Sequence, residues 1–120
     1  MVQPDRNSYL LVLKALARHK NDVAAAQKAD EILKFVEKKY KSGDLSWRPD
    51  TLLVNTVLGC WSHSHLKGSY RKTRGILDRQ ILLFTNLNGK AGSEDCRPDV
   101  YGYTSVLSSW LPTDASASFT

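Results

Sequence analysis

The sequence predicts an all-α protein, an α-solenoid of stacked helix–turn–helix hairpins with about two and a half repeated units. Three observations predict it. A Pro-Asp pair recurs at Pro4-Asp5, Pro49-Asp50 and Pro98-Asp99. After each pair, apolar residues fall at i, i+3, i+4 and i+7, one face of an α-helix. They are Tyr9, Val12, Leu13 and Leu16, then Val54, Val57, Leu58 and Trp61, then Tyr103, Val106, Leu107 and Trp110. The following stretches also correspond, because a shift of 44 positions carries Lys28 onto Lys72, Ile32 onto Ile76, Leu33 onto Leu77 and Tyr40 onto Phe84. A hairpin with two apolar stripes cannot bury both alone, so neighbours must stack.

The first helix is expected from Pro4 to about Arg18, with Pro where its missing N–H costs nothing and Asp5 at the positive helix start. After a polar turn, Asn21 or Asp22 can cap a second helix over Val23–Lys41. Its apolar positions are Ala25, Ala29, Ile32, Leu33, Val36 and Tyr40. Gly43 supplies a stop, and Asp44–Trp47 reads as a linker. The second unit repeats the plan, with helices over Pro49–Ser64 and Ser69–Asn86 separated by a turn at Gly68. Gly75, inside the latter helix, costs about 1 kcal/mol relative to Ala and suggests a close approach by another helix. Asn88–Asp95 reads as a flexible connector before the last helix. The units are thus 3–48, 49–97 and the first helix of a third at 98–112, with a frayed Ser/Ala/Thr-rich tail at 113–120. The β-branched run TLLVNTVL invites a strand assignment, but its stripe is helical.

The 120 residues are 42% hydrophobic, which excludes general disorder. A net charge of +5 leans toward polyanions. Cys60 and Cys96 are too few for a disulfide framework, so free thiols in a reducing, intracellular compartment are expected. No apolar run approaches the roughly 18 residues of a membrane span, and no membrane partner is expected. The basic bias of the first twenty residues suggests a transit peptide, but Pro4-Asp5 and its stripe match the later units and are read as folded structure. The chain looks like a short array or a piece of a longer one.

The stretches QPDRNSYLLVLKAL, RPDTLLVNTVLGCW and RPDVYGYTSVLSSW share Pro-Asp, an aromatic residue or Val four residues after the Asp, and a Val-Leu step. VNTVL and YTSVL are close to the first-helix signature of the pentatricopeptide repeat (PPR) family, and KADEILKFVEKKY is similar to its second helix. The resemblance covers residues 3–111. It departs from the family in repeat length, since Asp5, Asp50 and Asp99 lie 45 and 49 residues apart, against roughly 35 in the standard repeat, the length class of the TPR.

The resemblance implies sequence-selective binding of single-stranded RNA, one base per repeat, in organellar (mitochondrial or chloroplast) RNA processing, stability, editing or translation. Carried over by position, the base-reading residues are Asn55 with Asp99 in the second unit, a pair that resembles the family's pyrimidine preference, uracil above cytosine. Thr104 is the reader of the third unit. Leu52 and Tyr101 occupy the positions that pack against the base faces. The first unit departs, with Leu10 at the reading position and Asn7 at the packing position, so little base discrimination is expected there despite Asp50.

Each feature has a plainer reading. Asn55 alone would be a surface or capping residue, and Asp50 and Asp99 favour helix starts whatever else they do. His63, His65, Lys67, Arg71, Lys72, Arg74 and Arg79 form a basic cluster. Lys67, Arg71, Lys72 and Arg74 are candidate phosphate contacts, although a solvated helix face at the end away from the readers explains them equally. Cys60, His63 and His65 fall short of a four-ligand zinc site. No catalytic constellation or cofactor motif stands out, so an enzyme is not expected. The alternative function is a TPR-like scaffold holding a peptide in its concave groove.

Overall fold

The computed structural model describes residues 5–19, 22–64, 68–90 and 93–109. It is all-helical, with no strand among the described residues. The helices are α1 (Arg6–Ala17), α2 (Val23–Lys41), α3 (Thr51–Ser64), α4 (Ser69–Leu87) and α5 (Val100–Ser108). Pro4, Asn21, His65, Lys67, Trp110 and the tail at 113–120 lie outside the described residues.

Aspartates set four of the helix starts. Asp5 accepts the Ser8 N–H at 2.9 Å, Asp22 that of Ala25 at 3.1 Å, Asp50 that of Leu53 at 2.9 Å and Asp99 that of Gly102 at 3.2 Å. Each satisfies an otherwise orphaned donor and puts negative charge at the positive end of the helix. α4 instead follows Gly68, whose φ of +89° an L-residue rarely adopts, and ends on Asn88 at φ +44°.

α1 packs on α2 and α3 on α4, while α3 also packs against α1, α2 and α5. The core follows from this central position. Leu53, Val57 and Leu58 are fully buried, with Val54, Cys60 and Trp61 nearly so. Leu13 of α1, Leu33 and Val36 of α2, Ile76 and Leu77 of α4, and Val106 of α5 close around them. Each such side chain contributes roughly 1.5–3 kcal/mol by leaving water. Beside this core Tyr9, Phe35 and Trp47 form a triangle of rings with centroids 5.2–5.7 Å apart.

Successive first helices are clipped together in the same way. Arg6 Nε donates to the Arg48 carbonyl at 2.9 Å, and Thr51 Oγ1 donates to the Arg97 carbonyl at 2.6 Å. Arg6 and Thr51 each follow the Asp of their unit, and Arg48 and Arg97 each precede the Pro-Asp of the next.

Several expectations need correction. The two connectors are partly structured, as 3₁₀ turns at Leu45–Trp47 and Ser93–Cys96. The second one buries Cys96, whose backbone carbonyl accepts from Gln80 at 3.3 Å. Among the described residues nothing lies within 4 Å of where a Cβ on Gly75 would stand, so no described helix approaches it closely. The close approaches occur at Gly59 and Gly102 instead. Val12, Tyr103 and Leu107 are exposed rather than core. Their helices lie at the two flanks of the α1–α3–α5 row, and no helix among the described residues covers the periodic stripe there.

Candidate functional site

Asn55 is on the second turn of α3 and Asp99 caps α5, 44 residues later. Packing of α5 against α3 brings them together, and Asn55 Nδ2 donates to Asp99 Oδ1 at 2.9 Å. The same carboxylate oxygen accepts the Gly102 N–H, so capping and pairing use one atom. A carboxylate only accepts, and therefore it fixes the amide with nitrogen toward Asp99 and oxygen away. Asn55 is 8% exposed, and its Oδ1 is buried without a hydrogen-bond partner among the described residues. An acceptor left in this state costs about 1–3 kcal/mol.

Around this pair lies an open cavity of about 440 Å³, lined by Lys14, Ala17, Leu52, Asn55, Thr56, Asp99 and Tyr101. Leu52 and Tyr101, respectively 52% and 50% exposed, form its apolar surfaces. Tyr101 reaches back over α3, since a Cβ on Gly59 would stand 3.0 Å from its hydroxyl. Four of the residues singled out from the sequence, Asn55, Asp99, Leu52 and Tyr101, therefore share one cavity. Thr104 is exposed on α5 and does not line it.

The candidate phosphate contacts are elsewhere. Arg71, Lys72 and Arg74 sit on α4, which contributes no residue to the cavity. Lys72 places its ammonium 5.9 Å from the Trp61 ring centroid, and Arg74 donates to the Tyr70 hydroxyl at 3.3 Å. Lys67 is outside the described residues. The cation that does line the cavity is Lys14, one turn after Leu10 on α1. Sequence reasoning missed it together with Ala17 and Thr56, although its i+4 spacing from the reading position was a usable signal.

The first unit shows what replaces the amide. Asp50 stands where Asp99 does, but Leu10 replaces Asn55 and the carboxylate is ion-paired with Arg6 Nη2. Both side chains are largely buried, so the charge of Asp50 is neutralised within the protein.

Cys60 and Cys96 are free and buried. Burial pushes the Cys60 thiol up to about 11 and the Cys96 thiol in the same direction. Both are accordingly poor nucleophiles and poor metal ligands at neutral pH. No group of three or more His, Cys, Asp or Glu side chains among the described residues is placed to hold a metal ion, and no described helix is long and apolar enough to cross a membrane.

No family model, curated protein or solved structure matches the chain.

Proposed function

We propose that the chain is a PPR-like α-solenoid that binds single-stranded RNA and reads one base at the Asn55–Asp99 pair, serving RNA processing, stability or translation in an organelle. The observation that carries this reading is the 2.9 Å hydrogen bond between two residues 44 positions apart, in a cavity flanked by Leu52 and Tyr101. A base edge presents donors and acceptors side by side, and an amide held in one orientation complements one such order. The amide supplies both a donor and an acceptor to a base edge, and the preference for a pyrimidine is the one that the PPR resemblance implies. Stacking on the Tyr101 ring adds about 1–3 kcal/mol. Lys14 supplies a positive charge for the neighbouring phosphate. A peptide groove has no need of an amide oriented by a carboxylate between two apolar flanks.

Fluorescence anisotropy with U-rich and A-rich single-stranded RNA tests the reading, with Asn55→Ala and Asp99→Ala beside the wild-type chain. The U-rich strand is expected to bind more tightly, and each substitution to weaken it about tenfold or more. Absence of RNA binding at low salt overturns the RNA reading. Binding indifferent to both substitutions overturns the assignment of the reading pair.

A further inference from the structure

A second cavity lies between α2 and α4, and it shares no residue with the first. These two helices have 19 residues each, against 12 in α1 and 14 in α3. Their last turns outreach the first helices by roughly 7 Å or more, and Pro49 and Val54 form the floor of the space between them. α2 and α4 have little direct packing. Arg79 of α4 bridges the gap by donating to Glu37 of α2 at 3.0 Å.

The resulting cleft measures about 430 Å³ and has walls of Leu33, Ile76, Leu83 and Leu87. Its volume is in the range of small-molecule sites. Lys41 and Lys90 are at its edge, and neither has an ion-pair partner among the described residues. Glu37, the carboxylate that would oppose an anion, is already neutralised by Arg79. The remaining charge at the rim is that of the two lysines. Gln80, 3% exposed, lines the cleft as well. Its Nε2 donates to the Cys96 carbonyl and to Thr51 Oγ1, each at 3.3 Å, while its Oε1 has no partner among the described residues. Flipping the amide would set oxygen against the Cys96 carbonyl, so the unpartnered atom is the acceptor.

We propose that this cleft binds a small aromatic monoanion, a carboxylate or sulfonate that carries an N–H or O–H donor. The ring enters between the apolar walls, the charge meets Lys41 and Lys90, and the donor serves the Gln80 oxygen. A hydrocarbon would leave that oxygen and both lysines unused.

Anilinonaphthalene sulfonate is a suitable probe, since it is an anionic aromatic with a bridging N–H and brightens on entering apolar sites. Saturable fluorescence is expected with the intact chain, weakened about tenfold in Lys41→Glu/Lys90→Glu by loss and reversal of two attractive charges. Leu83→Glu is expected to abolish it. The neutral counterpart, phenylnaphthylamine, is expected to bind more weakly. Leu107→Glu, on the exposed flank of α5, is expected to change nothing. Far-UV circular dichroism verifies that each variant is folded, and the lysine pair, both exposed, tests the site without touching the core. Fluorescence unmoved by the lysine reversal, lost in Leu107→Glu, or equal for the neutral probe overturns the proposal.

Discussion

Gly102 stands so close to Asn55 that a Cβ added to it would come within 3.1 Å of the Asn55 Oδ1. Gly102 also gives its N–H to Asp99, so one residue holds the carboxylate and leaves room for the amide. Gly102→Ala gains up to about 1 kcal/mol in helix propensity but crowds the site at a cost of about 1–3 kcal/mol. The expected outcome is a small change in Tm with a marked loss of RNA affinity. Thermal melts and anisotropy on the same preparation measure both.

Asp99→Asn separates the two tasks of Asp99. Asn caps a helix about as well as Asp, so stability is expected to hold within about 0.5 kcal/mol. The orientation of Asn55 is no longer dictated, because an amide can present either a donor or an acceptor to it. The preference for U-rich over A-rich RNA should flatten. Asp99→Ala, by contrast, loses the cap and about 1 kcal/mol with it. Equal selectivity in wild type and Asp99→Asn would count against an orienting role.

The first unit can be converted. Arg6→Thr with Leu10→Asn reproduces the residues at Thr51 and Asn55, and it frees Asp50 to meet a new amide. RNA with two adjacent uracils is expected to bind the double variant about tenfold more tightly than the wild type does, the gain of one base contact. Arg6→Thr alone leaves Asp50 without its guanidinium, an expected loss of about 1–3 kcal/mol in urea unfolding, while the new hydroxyl can keep the bond to the Arg48 carbonyl as Thr51 keeps that to Arg97.

Alkali tests the buried thiol. Burial raises the Cys60 pKa from 9.0 to about 11 in the folded chain. The unfolded chain loses that proton first, so the contribution to stability is intact below pH 9 and declines as pH rises toward about 11. Melting temperatures of wild type and Cys60→Ala, followed from pH 8 to pH 11, should converge as the pH rises. The difference between the two curves isolates the thiol from the tyrosines and lysines that titrate in the same range.

Much of the helical plan was legible because it is locally encoded. α2 begins and ends where Asp22 and Gly43 place it, and the period of 3.6 identified Leu58 and Val106 as inward-facing. The pairing of Asn55 with Asp99 was legible only through repetition, since nothing local to Asn55 points 44 residues ahead. What periodicity does not carry is whether a neighbour exists. Tyr103 and Leu107 have the same spacing as Val54 and Leu58, yet they are 48% and 65% exposed because no helix among the described residues covers that side of α5. Lys14 went unnoticed for a related reason, as its place beside Asn55 arises from α1 lying against α3. Gly75 and Gly102 show the same limit. Both are helical glycines in the sequence, and only packing shows that the second is the crowded one.

The central position of α3 has a kinetic and cooperative consequence. Neither helix pair owns a core, since Leu53, Val57 and Leu58 are wrapped by residues from both units and from α5. Loss of α5 therefore exposes α3, and loss of α3 leaves α1–α2 and α4 with little to hold them. The chain should melt in one transition rather than unit by unit, in contrast to long arrays that unzip from their ends. The amide protons of α3 should accordingly be the last to exchange, opening only with the whole molecule.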